Sequence, residues 1–125
     1  MKALLLIAHG SRRAQSNEEV KQLLDKLKAK MSQDYPVMEA CFLELAKPLI
    51  DEGLECCKQQ GATEIYVVPY FLSAGRHVET DVPEEVNLWL ENNQDIKVHQ
   101  IPHVGASATM LDLINQSVSE YSHES

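Results

Sequence analysis

Two histidines and one glutamate occupy positions from which they could bind a metal ion together. His9 follows an apolar N-terminal run, in the sequence His-Gly-Ser-Arg-Arg, and His77 follows a later apolar run, in the sequence Gly-Arg-His. Glu44 stands near the end of the apolar segment between them. Imidazole nitrogen suits cobalt, iron, nickel and zinc, and a carboxylate adds charge. A set of only three protein ligands would leave coordination positions open for a substrate.

Each of these residues also has an ordinary structural interpretation. A single histidine after a buried strand is more often a hydrogen-bonded structural residue than a ligand, and Glu44 could be solvated at the end of its strand. Arg12 and Arg13 could be an exposed pair. A shared site is favoured because two separate segments at the same sheet edge combine histidine with glycine, as His-Gly in one and as Gly-x-His in the other. Gly10 and Gly75 suit a backbone that turns sharply beside a ligand.

A shared site requires strands that bring these segments to one edge of a sheet. Apolar runs predict four strands that begin about thirty residues apart, which is the length of a βαβ unit. The predicted strands cover residues 3–8, 37–45, 65–71 and 96–101, with the last at a sheet edge. Ligands of parallel α/β sheets bind at the carboxyl ends of the strands, where the segments carrying His9, Glu44 and His77 lie.

Four helices are predicted between and after these strands. Ser16 and Glu19 form a plausible capping box for the first, and Pro48 opens the second, which Gly61 closes. Asp81 and Glu84 can cap the third, whose buried face contains Val82, Val86, Trp89 and Leu90. The fourth starts at Ser107 and carries four apolar side chains on one face: Leu111, Ile114, Val118 and Tyr121.

The chain has 125 residues, which favours one domain. We predict a single domain over residues 1–121 and a frayed tail over residues 122–125. The fold class is α/β, a three-layer sandwich with a mainly parallel four-stranded sheet and flavodoxin-like topology.

Composition limits the partners. With 11 Lys and Arg against 19 Asp and Glu, the net charge of −8 argues against binding to nucleic acid or to anionic membranes. The N-terminal apolar run is too short for a membrane span, so we expect no signal peptide and no anchor. Three cysteines, without C-x-x-C spacing, fit a cytoplasmic protein better than a disulfide framework or a cysteine-rich zinc site.

Three segments together resemble the CbiX/SirB class of sirohydrochlorin chelatases. They are His-Gly-Ser-Arg at residues 9–12, Phe-Leu-Glu at residues 42–44, and the run at residues 69–78 with Asp-Val-Pro at residues 81–83. The match is ordered and extends from residue 4 to about residue 115, and its third block is long enough to be specific.

The resemblance implies a chelatase-like fold and the insertion of Co²⁺, Fe²⁺ or a related ion such as Ni²⁺ into sirohydrochlorin, on the route to cobalamin or sirohaem. It implies no organic cofactor. His9 and His77 correspond by position to the family's metal-binding and catalytic histidines, and Glu44 to its carboxylate. The length corresponds to the short, single-lobe form of the family, in which two chains pair as a homodimer.

The substrate that the resemblance implies also predicts which residues bind it. Sirohydrochlorin carries many carboxylates, and guanidinium groups bind carboxylates in bidentate fashion. Arg12, Arg13 and Arg76 lie in the same segments as the two histidines, so we expect a positive rim on an acidic domain. Ser11, Ser73 and Gly75 lie in these segments too and are predicted to contact the substrate.

Two other functions fit some of these residues. A cobalt- or nickel-binding module without enzymatic activity, such as a metallochaperone, would need the same histidines but no tetrapyrrole pocket. Histidine phosphatases also place His-Gly after a first strand, but their signature is Arg-His-Gly, and here Ala8 precedes His9. This departure counts against phosphoryl transfer.

Overall fold

The centre of the fold is a sheet of four parallel strands. They are β1 (Lys2–Ala8), β2 (Val37–Phe42), β3 (Glu64–Pro69) and β4 (Lys97–Gln100), in the order β2-β1-β3-β4. The computed structural model describes residues 1–124, and the side chains of His77, Val78, His123 and Glu124 lie outside this description. The four-stranded parallel sheet agrees with the fold class predicted from the sequence.

Strand β1 is buried on both faces because it pairs with β2 on one side and with β3 on the other. All six residues from Ala3 to Ala8 are buried, which explains why this run is continuously apolar. Leu5 and Ile7 face one side of the sheet, and Leu4 and Leu6 face the other. The central position of β1 fixes the direction in which the chain continues toward His9.

Helices pack on both faces of the sheet. The packed helices are α1 (Ala14–Met31), α2 (Ile50–Gln59) and α3 (Val82–Leu90), and a further helix, α4 (Thr109–Glu124), follows β4. Leu24 of α1 packs with Leu4 and Leu6 on one face, whereas Leu54 of α2 and Val86 of α3 pack on the other face. These three helices and the sheet form the predicted three layers. None of the described helices has both the length and the apolar character needed to cross a bilayer.

Three strands end earlier than the sequence predicts. β2 stops at Phe42, three residues before the predicted end, because residues 43–48 form a series of bends. β3 stops at Pro69 because the N–H of Phe71 turns back to the carbonyl of Pro69, at 3.0 Å. β4 is one residue shorter than predicted at each end and lies at the edge of the sheet, as expected.

The predicted starts of α1 and α2 are each wrong by two residues, whereas α3 starts after Asp81 as predicted but without the predicted side-chain cap. Ser16 lies inside α1, which begins after Arg13 with no side-chain cap, so the predicted capping box does not form. α2 begins at Ile50 rather than at Pro48. The N–H of Leu49, the residue before this start, donates to the carboxylate of Glu52 at 2.9 Å. Asp81 provides no side-chain cap for α3, because a single π turn (His77–Asp81) precedes the helix.

The end of α2 and the face of α3 follow the predictions more closely. Gly61 follows the end of α2 with a φ of 99°, a left-handed conformation that glycine adopts without steric cost. Val82 and Val86 of α3 are buried, and Trp89 and Leu90 are partly buried against the core.

Helix α4 departs most from expectation. Its N-terminus is where the sequence indicates, since the N–H of Thr109 donates to the hydroxyl of Ser107 at 3.2 Å. Its four apolar side chains share one face as predicted, but this face is exposed: Leu111 is 76% exposed, Ile114 56%, Val118 61% and Tyr121 75%. The helix continues to Glu124, so residues 122–124 of the predicted tail are helical, and Ser125 lies outside the described residues.

His99, at the edge of the sheet, is partly buried and hydrogen-bonded to Glu64. Its Nε2 lies 2.6 Å from Oε1 of Glu64, and its ring stacks on Tyr66 with a centroid separation of 4.4 Å. The Tyr66 hydroxyl donates to the same carboxylate at 3.2 Å. The hydrogen bond from His99 is the main reason that the pKa of Glu64 is lowered, and the Tyr66 hydroxyl lowers it further.

This pair predicts an acid-dependent contribution to stability. A carboxylate whose pKa is lower in the folded than in the unfolded protein stabilises the fold above the unfolded value of about 4.3, and this contribution is lost as pH falls through the folded value. Near neutral pH, Glu64→Gln should therefore have a lower melting temperature than the parent. On acidification, its melting temperature should fall by less than that of the parent. Melting curves between about pH 6 and pH 3 measure this difference.

Glu18→Gln is the control for this prediction. It removes the same charge from the exposed surface of α1 and should keep the parent's acid dependence. Equal slopes for all three proteins would contradict the assignment.

Candidate metal-binding site

The carboxyl ends of the three neighbouring strands β2, β1 and β3 meet at one edge of the sheet. His9 follows β1 directly, and the N–H of Glu44 donates to the His9 carbonyl at 3.1 Å, so the chain after β2 stays in register with β1. On the other side, the N–H of Tyr70 donates to the carbonyl of Ile7 at 2.7 Å. Backbone hydrogen bonds therefore fix the site segments beside one another.

His9 and Glu44 come together as the sequence predicts. Nε2 of His9 lies 3.1 Å from Oε1 of Glu44, and the two side chains are 46% and 50% exposed. The ring of Phe71 meets the His9 ring edge to face, with centroids 6.2 Å apart. One imidazole nitrogen and one carboxylate oxygen thus converge at an open position, where an arriving cation could replace the proton that they share.

The close approach of the two segments requires glycine at position 10. Gly10 has a φ of 95°, and a Cβ built there would lie 1.8 Å from the carbonyl oxygen of Glu44. No side chain fits between the two backbones. Gly75 differs, because a Cβ at that position meets nothing within 4 Å. The prediction that the backbone requires glycine for a sharp turn is therefore confirmed for Gly10 and wrong for Gly75.

Only the backbone of His77, the third predicted ligand, is described by the structure. His77 begins the π turn that precedes α3, and its side chain lies outside the described part of the structure. Among the side chains that are described, no three from His, Cys, Asp and Glu converge as a metal site. The described part of the site is the pair of His9 and Glu44.

Ser11 organises the loop after β1. Its N–H donates to Oδ1 of Asn17 at 3.0 Å, and Nδ2 of Asn17 donates back to the Ser11 carbonyl at 2.8 Å. The Ser11 hydroxyl accepts the N–H of Arg13 at 3.0 Å. Sequence reasoning missed Asn17, since a loop-to-helix bond across six residues leaves no periodic signal.

The three arginines predicted to bind the substrate are exposed. Arg12 and Arg13 lie between Gly10 and α1, and Arg76 lies just before His77. Among the described carboxylates, none forms a salt bridge with these guanidinium groups, so their charges are available to an incoming anion. Ser73 and Gly75 are exposed in the segment after β3.

Apolar side chains flank the pair of His9 and Glu44. Leu45, which follows Glu44, is 53% exposed and has a φ of 66°, a conformation uncommon outside glycine. Tyr70 is 42% and Leu72 is 72% exposed after β3, whereas Phe71 packs against the core. No sequence pattern marks Leu45, because backbone strain cannot be read from residue types.

The cysteines do not take part in this site. Burial raises the pKa of Cys57 to about 12 and raises that of Cys41 well above its ordinary value. Both thiols therefore stay protonated near neutral pH, whereas metal binding needs the thiolate. Cys56 is exposed on α2, away from the carboxyl edge of the sheet.

The parallel sheet with a histidine and a carboxylate at its carboxyl edge defines a chelatase-like α/β protein. Its backbone superposes on SirB from Bacillus subtilis with Fe3+ at a TM-score of 0.82, with 32% identity, over 92% of this chain and 45% of that one. It also superposes on a CbiX protein from Marinobacter aquaeolei VT8 at a TM-score of 0.80 with 27% identity, over the full length of both chains.

The sequence comparisons identify the family. The CbiX family profile matches residues 3–121, and the chain belongs to this family. A sirohydrochlorin ferrochelatase of Priestia megaterium is 33% identical over 120 residues, which are 96% of this chain and 44% of that protein. A sirohydrochlorin cobaltochelatase of Sulfolobus acidocaldarius is 28% identical over 96% of this chain and 92% of its own length. The chain spans half or less of the length of the first ferrochelatases that it matches.

Proposed function

We propose that this protein inserts a divalent metal ion, Co²⁺ or Fe²⁺, into sirohydrochlorin. The observation that carries the proposal is the pair of His9 and Glu44 at the open carboxyl edge of the sheet, in a chain that matches the CbiX family over nearly its whole length. Relatives named for iron and for cobalt insertion both support the reaction class. Ni²⁺ is a further candidate metal substrate.

The residues suit the chemistry that this reaction requires. Metallation releases two pyrrole protons and exchanges the metal's bound waters for four ring nitrogens. A histidine with a pKa near neutrality can accept a proton, and it can also bind a metal ion weakly enough to release it. In our proposal His9 and His77 hold the ion, and one of them accepts a pyrrole proton with the help of Glu44.

The surroundings of the pair suit a polycarboxylate with an apolar ring. The exposed guanidinium groups of Arg12, Arg13 and Arg76 would bind the peripheral carboxylates, and Ser11, Ser73 and Gly75 would contact the ring's edge. Leu45, which follows Glu44, and Leu72, which follows Phe71, have exposed side chains that would supply apolar surface for the ring. This local arrangement accommodates an anionic substrate despite the net charge of −8.

We further propose that two copies pair to complete the enzyme and that the protein acts in the cytoplasm. Several relatives are about twice as long as the matched region, which gives them room for two such units. Three free thiols are consistent with a reducing compartment.

A spectroscopic assay with purified protein tests the function. Sirohydrochlorin is mixed with Co²⁺ or Fe²⁺, and the change in its visible spectrum is followed with and without the protein. We expect the protein to accelerate the change for at least one metal. Metal binding with no acceleration would identify a metal-binding module instead and would overturn the proposal.

Glu44→Gln tests the role of the carboxylate. The amide keeps the shape and the hydrogen bond to His9 but lacks the negative charge that a cation would neutralise. We expect Co²⁺ affinity to fall by about tenfold or more and the insertion rate to fall with it. Calorimetric titration measures the affinity, and Glu52→Gln, on α2, is the charge-matched control. Unchanged affinity in Glu44→Gln would exclude the carboxylate as a ligand.

A further inference from the structure

The apolar face of α4 is exposed along most of its length. Leu111, Ile114 and Val118 follow the spacing i, i+3, i+7 and are 76%, 56% and 61% exposed. Contiguous apolar surface of this kind usually marks an interaction site in a water-soluble protein. The face needs a partner surface of matching length and apolar character.

Such a surface is present on the same chain. A groove of about 350 Å³ runs along the side of α1, and its lining includes Leu23, Leu27 and Met31 of α1, Leu6 and Val68 of the sheet, and Val104. Val104 belongs to the short 3-10 helix (Val104–Ala106) that leads to α4. α1 covers the sheet over Leu4, Leu6 and Met38, and the groove lies on the β3 side of that cover. In a layered α/β fold, this is where a second helix would pack beside α1.

The charges of the two surfaces are complementary. α4 contains three acidic residues and no lysine or arginine. On α1, Lys26 and Lys30 follow Leu23 at spacings of three and seven residues and Glu19 precedes it by four, so the groove side of that helix carries two lysines and one glutamate. An acidic helix in this groove would therefore have two lysines along one edge.

We propose that α4 of a second copy occupies this groove, and that the two copies exchange helices reciprocally. This inference rests on the pairing of two copies proposed above, and it names the surfaces that pair. Each chain supplies one donor helix and one acceptor groove, which is the condition for a closed twofold dimer. The chain's own α4 lies outside the groove, since Leu111, Ile114 and Val118 are more than half exposed.

The exchange would connect the interface to the metal site. Tyr70 lines the groove and also donates its N–H to Ile7, two residues before His9. The partner's helix would thus lie against the segment after β3 that leads to Arg76 and His77.

Sedimentation at micromolar concentration tests the role of the exposed face. Ile114→Asp should weaken dimerisation by about a hundredfold or more, because the charge enters the apolar interface twice. Ser119→Asp adds the same charge on a different side of α4 and should remain dimeric. Circular dichroism verifies that both variants fold. A dimer of parent strength in folded Ile114→Asp would overturn the proposal.

Cross-linking then identifies the occupant of the groove. In a Cys56→Ser background, Leu23→Cys and Ile114→Cys are joined with a flexible bismaleimide, since the buried Cys41 and Cys57 do not react. We expect a product of two chains, and much less of it when Ser119→Cys replaces Ile114→Cys. A product of one chain would show that α4 folds back on its own groove and would overturn the exchange, as would the absence of any product. A cross-linked dimer without chelatase activity would count against the proposed function and not against the exchange.

Discussion

Replacing His9 with alanine is expected to slow metal insertion into sirohydrochlorin by about 10²–10⁴-fold, the usual contribution of a positioned acid or base. The reason is geometric, because His9 provides the nitrogen that faces Glu44 at 3.1 Å. The imidazole is 46% exposed, so its removal opens no cavity in the core, and the melting temperature should change little. Initial rates from the visible spectrum of sirohydrochlorin measure the effect for Co²⁺ and Fe²⁺ separately.

The same assay on His99→Ala supplies the control. This residue is also a histidine paired with a glutamate, but its carboxylate lies at the first residue of β3, at the opposite edge of the sheet. His99→Ala should insert metal at the parent's rate. If His9→Ala also retained the parent's rate, the role proposed for His9 would be wrong, whereas the family assignment would stand.

Gly10→Ala is expected to destabilise the fold by about 3 kcal/mol or more, since it combines backbone strain with a steric overlap. The new Cβ would lie 1.8 Å from the Glu44 carbonyl oxygen, and the φ of 95° is unfavourable for any residue with a Cβ. The two segments must separate to relieve the overlap, which also disturbs the pair of His9 and Glu44. Thermal unfolding should show a melting temperature lower by about 10 °C.

Gly75→Ala is the matched control for this substitution. It adds the same methyl group in the segment after β3, where nothing lies within 4 Å of the new Cβ. Its stability should stay within about 0.5 kcal/mol of the parent. Similar losses of stability in both variants would show that the contact with Glu44 is not the cause.

Much of the architecture could be predicted from the sequence because burial leaves a direct pattern. A strand buried on both faces must be apolar at every position, and residues 3–8 of β1 are. Parallel strands bring their carboxyl ends together, so the pairing of His9 with Glu44 followed from the order of the elements. The residue types in the loops contributed little to the predicted architecture.

The features that could not be predicted depend on contacts without a periodic pattern. α1 starts two residues before the predicted Ser16, in a loop held by the reciprocal bonds between Asn17 and the Ser11 backbone. The φ of Leu45 arises from the bend after β2 and not from its residue type. The stripe on α4 correctly indicates an apolar face, but it does not specify whether the same chain or another covers it.

The central position of β1 also sets how the site can open. Amides of β1 are hydrogen-bonded within a strand that is paired on both sides, so their hydrogen exchange should require global unfolding. The exposed residues 72–76 lead into the π turn and should exchange through local fluctuations at far lower free energy. The proposed ligands therefore belong to regions of unequal stability, with His9 attached to the rigid core and His77 to a segment that opens on its own. An ion held this way could leave by loss of one ligand at a time, and the domain would stay folded through each turnover.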